Sequence, residues 1–110
     1  MCEFKVFDQE MLVAEGIVYA KLSNGALILR DILHSETDLK ETLVMEIDVA
    51  NETIRLRRHP LIGDMLCFLD AVARCEESGR YDRNLEELWQ RAKSRGDETI
   101  RDLQRRCEKP

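Results

Sequence analysis

From Cys2 to about Arg58 the chain alternates apolar and polar positions with a period of two. Cys2, Phe4 and Val6 alternate with Glu3 and Lys5, and Val18, Ala20 and Leu22 with Ile17, Tyr19 and Lys21. Strict alternation places successive side chains on opposite faces, so these stretches predict strands. Asn24-Gly25 then interrupts the pattern. That dipeptide suits a two-residue hairpin turn, where both central residues need positive φ. Ala26 to Asp31 predicts the returning strand. Glu36 to Lys40 predicts a short polar edge strand whose charges guard against unwanted pairing. Leu43, Met45, Ile47 and Val49 alternate with Val44, Glu46 and Asp48. After a turn at Ala50-Asn51-Glu52, Ile54 and Leu56 alternate with Arg55 and Arg57. The expectation is five or six short antiparallel strands joined as a meander.

Pro60 marks a change of period, because proline cannot continue a ladder but suits a first helical turn. Leu61, Ile62, Met65, Leu66, Phe68, Leu69, Val72 and Ala73 recur at helical spacing up to Ser78, and Gly79 is a natural stop. This helix is apolar over more than half its circumference, so it needs extensive cover. Asn84 with Glu87 reads as a capping box for a second helix whose face is Leu85, Leu88, Trp89 and Ala92. Gly96 predicts its end, and Asp97 would cap a third helix with Ile100, Leu103 and Cys107 inward. Asp70/Arg74, Glu87/Arg91 and Asp102/Arg106 have the spacing of i,i+4 ion pairs. The expected fold is α+β. Residues 1–59 form a small SH3-like antiparallel β-barrel, and residues 60–110 a helical extension of about three helices. That extension packs on the barrel or on a partner chain. Ile17, Tyr19, Leu27 and Leu29 put apolar groups on second faces of their strands, which a helix or another subunit must cover.

Composition narrows the function. The 110 residues are one domain's worth, 44% hydrophobic and 35% charged. The longest stretch without Asp, Glu, Lys or Arg is Leu22 to Leu29, far below the ~20 apolar residues of a membrane span. No basic segment followed by an apolar run opens the chain, so no signal peptide is expected and the expected compartment is the cytoplasm. With 17 basic and 22 acidic side chains the net charge is −5, which argues against nucleic acid as the main partner. Cys2, Cys67, Cys75 and Cys107 show no CxxC spacing and read as free thiols. No glycine-rich phosphate loop, GxSxG or HExxH is present, and an enzyme is not expected.

Met1-Cys2 carries the most chemistry. If the initiator methionine is removed, Cys2 presents an amine and a thiol on one Cα, and together they chelate a metal through a five-membered ring. Thiolate suits soft or borderline ions, and tetragonal nitrogen-containing sites suit Ni(II) or Cu(II). One chain offers two donors. Two chains about a two-fold axis offer an N2S2 set. The alternative is a small buried thiol that packs in the first strand.

Met1-Cys2-Glu3-Phe4-Lys5-Val6, Val18-Tyr19-Ala20-Lys21, Leu29-Arg30-Asp31-Ile32-Leu33, and Val44-Met45-Glu46-Ile47-Asp48-Val49 followed by Ile54-Arg55-Leu56 together resemble the CooT family of small nickel-binding proteins. Some members of that family carry the description of predicted RNA-binding proteins. The resemblance covers roughly residues 2–59. It implies an SH3-like barrel, a homodimer, and one Ni(II) per dimer held by the second-position cysteines of both subunits. That role transfers to Cys2 alone. It also implies a metallochaperone or accessory factor for a client nickel enzyme, as the founding member serves carbon monoxide dehydrogenase. The chain departs from the family in its roughly 50 additional helical residues.

Other residues have plainer readings. His34 with Glu36 and Asp38 is a candidate second metal site, but reads better as a solvated polar loop. His59 reads as a junction residue. Cys67 and Cys75 are about 12 Å apart along a helix axis, too far to share an ion. Arg55, Arg57 and Arg58 form a short basic strip that defines the alternative function, an RNA-binding module, although no aromatic lies within it. Arg55 can instead pair with Glu46 or Asp48 across the strands. A metal-free interaction scaffold is the remaining alternative.

Overall fold

Residues 2–107 are described by a computed structural model. The strands are β1 (Phe4–Asp8), β2 (Met11–Ser23), β3 (Ala26–Asp31), β4 (Glu36–Lys40), β5 (Thr42–Asp48) and β6 (Thr53–Arg58). The helices are α1 (Pro60–Ser78) and α2 (Asn84–Arg106).

All strands lie in one sheet of order β4-β3-β2-β1-β6-β5. The expected antiparallel barrel is not formed. The sheet is mixed, because β1 and β6 run parallel, with Val6 beside Ile54 and Phe7 beside Arg55. It is also open, with β4 and β5 as its two edges. These edges are consecutive in the chain, separated by Glu41 at φ 58°. Glu41 donates its N–H to the Gly25 carbonyl (3.3 Å), and its carbonyl accepts the His59 N–H (2.9 Å). The edges therefore meet at a corner instead of closing a ladder. Closure depends on register between distant strands, which local alternation does not encode.

The long strand β2 curls the sheet. Its first half pairs with β1 and its second half with β3, and the two ladders meet at Ile17. Gly16, at φ 68°, precedes that residue, and both ladders shift register there. A bulge of this kind bends a strand and increases its twist. The concave side gathers Val6, Ile17, Leu27, Leu29, Ile54 and Leu56 into the core. Burying each such side chain contributes about 1.5–3 kcal/mol. Thr42 is buried as well, and its hydroxyl donates to the Lys40 carbonyl at 2.8 Å.

α1 begins and ends where its punctuation predicts. His59 is the N-cap and its Nδ1 accepts the Leu61 N–H at 3.0 Å. Pro60 occupies the first turn, and Gly79, at φ 71°, closes the last by donating to the Cys75 carbonyl. The other end signals are overridden. The described residues form two helices, not about three: α2 runs through Gly96 without a break. One interior glycine costs only about 1 kcal/mol relative to alanine, too little to divide a helix of good formers. The capping box is absent too, since Arg83 stands at the N-cap position without a side-chain bond. Asp82 accepts the Asn84 N–H instead, at 2.9 Å.

α1 and α2 pack on each other as an arm, with Phe68 and Trp89 ring centroids 5.3 Å apart. The arm meets the sheet near its base, where the Gly25 turn approaches Gly63 and Cys67. The Cα radius of gyration is 16.8 Å, against about 13 Å for a compact chain of this length. No helix among the described residues is long and apolar enough to cross a membrane.

Candidate functional site

Cys2 lies just ahead of β1 and is exposed. The alternative of a thiol packed in the core is thereby removed. β1 is an inner strand, held by β2 on one side and β6 on the other. The start of β1 is therefore well placed even though the thiol is free. Two turns border this end of the sheet. The Glu52 carbonyl accepts the Lys5 N–H at 3.0 Å, and the Gly16 carbonyl accepts the Ile32 N–H at 3.0 Å. Val49 and Leu33, in these turn regions, are 64% and 82% exposed. Glu3, Lys5, Asn51 and Glu52 are also exposed at this end, so apolar and charged groups are mixed there.

Among the described residues no group of three or more His, Cys, Asp and Glu converges as a metal site. The thiolate fits a nickel ion in type. The amine becomes available as a second donor in protein whose Met1 has been removed.

Of the other thiols, Cys67 and Cys75, expected in the core, are only partly covered, because α1 buries only Ala71 fully. Cys67 and Cys75 are half-buried on α1, and Cys67 Sγ faces the Gly25 turn. Cys107, expected to face inward on a third helix, is exposed as the C-cap of α2. His34 sits in an exposed turn at φ 69° organised by Asp31, whose Oδ1 accepts the N–H groups of Leu33 and Ser35 at 2.9 Å each. Glu36 pairs with Arg30 at 3.0 Å. This segment is a polar turn and edge strand.

On β6, Ile54 and Leu56 point into the core while Arg55, Arg57 and Arg58 are exposed. Arg55 pairs with Glu46 at 3.4 Å, the cross-strand contact that their spacing allows. An aromatic does adjoin the strip: the Arg55 guanidinium lies 5.3 Å from the Phe7 ring centroid. Sequence order concealed this, because the parallel pairing of β1 with β6 joins residues far apart in the chain. Arg57 and Arg58 make no ion pair among the described residues.

The strip borders a feature with no signal in the sequence. Between the arm and the β5–β6 face lies a groove of about 1180 Å³. Its floor and walls include Leu43, Met45, Leu61, Met65, Leu69 and Leu103. Arg55, Arg57, Arg58 and Arg106 supply positive charge around it, against Asp8 and Glu10 from the β1–β2 turn.

No model of a known protein family matches the chain, and no curated protein matches it.

Proposed function

We propose that the chain is a homodimeric nickel-binding protein. In this reading the Cys2 thiolates of two copies hold one Ni(II), and the protein serves as a metallochaperone or accessory factor for a nickel enzyme. The observation that carries the reading is the exposed Cys2 thiol just ahead of an inner strand of the sheet. The resemblance of residues 2–59 to nickel-binding proteins supports the choice of ion. A site divided between two chains suits capture and transfer. Two copies protect the ion, and separating or opening the seam releases it to a client. Binding displaces protons from the thiols, so affinity falls as pH falls.

Titration of untagged, methionine-processed protein with Ni(II) tests the proposal. The expected result is one nickel per two chains with a thiolate charge-transfer band, both lost in Cys2→Ser. Full-stoichiometry binding that survives this substitution would falsify the assignment.

A second reading, single-stranded RNA bound along Arg55, Arg57 and Arg58, gains one point in its favour from Phe7 beside Arg55. It predicts salt-sensitive RNA binding that weakens when Arg55 and Arg57 are both replaced by alanine.

A further inference from the structure

The chain exposes 8101 Å² of surface, whereas a compact monomer of 12.8 kDa exposes about 6300 Å². The excess of about 1800 Å² exceeds the ~800 Å² that each partner contributes to a standard stable interface. Part of the uncovered apolar surface, Leu69, Trp89, Ile100, Leu103 and Met45, lies along the arm and its groove. Only Ala71 of α1 is fully buried, although its apolar arc spans more than half the helix. Leu69 and Met45, facing the groove, are 50% and 53% exposed.

The far end of the arm has the opposite character to the groove. Glu76 and Glu77 close α1, while Asp82, Glu86 and Glu87 lead into and open α2. Across residues 76–87 only Arg80 and Arg83 offset these five acids. Tyr81 projects from the same tip, 65% exposed, with its hydroxyl donating to Glu86. One end of the molecule is thus an acidic knob with an aromatic at its point. The other is an apolar groove edged by Arg57 and Arg58.

We infer that the groove is occupied by the arm tip of a second copy, and that the exchange is reciprocal. Each chain then supplies one knob and one groove, so the assembly closes at two chains and does not grow into a filament. The inference does not rest on nickel, because the contacts involve no metal ligand.

Two charge-reversed variants test it by sedimentation of metal-free protein at tens of micromolar. Wild type is expected at twice 12.8 kDa. Glu76→Arg with Glu77→Arg reverses the knob and Arg57→Glu with Arg58→Glu reverses the groove. All four side chains are exposed, and far-ultraviolet circular dichroism checks that each variant folds. Each variant alone is expected to be monomeric, since its knob and groove now repel. A one-to-one mixture is expected to restore the dimer, because each reversed surface meets its complement. A monomeric wild type, a variant that dimerises alone, or a mixture that stays monomeric would overturn the inference. Cys2→Ser separates it from the nickel reading: that variant is expected to lose the metal and keep the dimer.

Discussion

Arg95 Nε on α2 donates to Asp64 Oδ2 on α1 at 2.9 Å, across the base of the arm. Asp64 is the better shielded partner, with its side chain 13% exposed. This bond, followed by the attraction between the two charges, holds the Arg95 pKa above its ordinary value. It is the one ion pair that ties the two helices among the described residues. It also sits one position before Gly96, where the sequence invites a break that does not occur.

Arg95→Met is expected to lower the thermal midpoint by a few degrees. A cation whose pKa is raised on folding contributes fully below its unfolded pKa, and the contribution fades only as pH rises through the folded value. Both values lie in the strongly alkaline range. The difference between Arg95→Met and wild type should therefore stay flat between about pH 6 and 9, measured by melting curves at each pH. A difference that vanishes inside that window would show that another group carries the effect.

Asp48 gives the opposite sign. Its Oδ2 accepts from Asn51 Nδ2 at 2.8 Å and its Oδ1 from the Asn51 N–H at 3.1 Å. The side-chain bond is the main reason its pKa is lowered, and the backbone bond adds to it. Stability from this group is present above its unfolded pKa and is lost as pH falls through the lower folded value. Asn51→Ala should move the Asp48 titration upward toward the usual carboxylate value, followed by carbon-detected NMR. An unmoved titration would remove the Asn51 side chain as its cause.

Leu29 is wholly buried and Leu33 is 82% exposed, so one chemical change should have two outcomes. Leu29→Ala is expected to cost about 2–5 kcal/mol, from lost transfer energy plus the cavity left behind. Leu33→Ala should stay within about 0.5 kcal/mol. Urea unfolding of both variants measures the contrast, and equal losses would contradict the assigned core.

Gly25 combines φ 77° with a crowded site, where an added Cβ would stand 3.1 Å from Cys67 Sγ. Gly25→Ala is expected to cost about 1–3 kcal/mol, from left-handed backbone strain and that contact together. Adding Cys67→Ala relieves the contact but not the backbone, so part of the cost should persist in that background. Complete rescue in a double-mutant cycle would place the whole effect in the steric contact.

Thiol reactivity separates the four cysteines. Exposed Cys2 and Cys107 should react quickly with an aromatic disulfide reagent, and half-buried Cys67 and Cys75 more slowly. Under the nickel proposal, Ni(II) should protect Cys2 and leave Cys107 reactive. Peptide mapping after a timed pulse reads each site, and equal protection of both would count against a specific Cys2 site.

Local chemistry alone determined the elements. Alternation marked most of the strands but only the second half of β2, whose Met11–Gly16 half it missed; Asn24-Gly25 marked the hairpin, and Pro60 and Gly79 the limits of α1, because each acts through the backbone of its near neighbours. Cys2 stood out by residue type, and the arginine face of β6 followed from the two-residue period. Tertiary structure decided what joins what. The parallel seating of β1 beside β6 brought Phe7 to Arg55, and the unpaired β4 and β5 edges left the barrel open. Asp64 clasped Arg95 across a continuous α2, and the groove formed between arm and sheet. These features depend on packing between residues distant in the chain, where many small contact energies compete and no short pattern records the outcome.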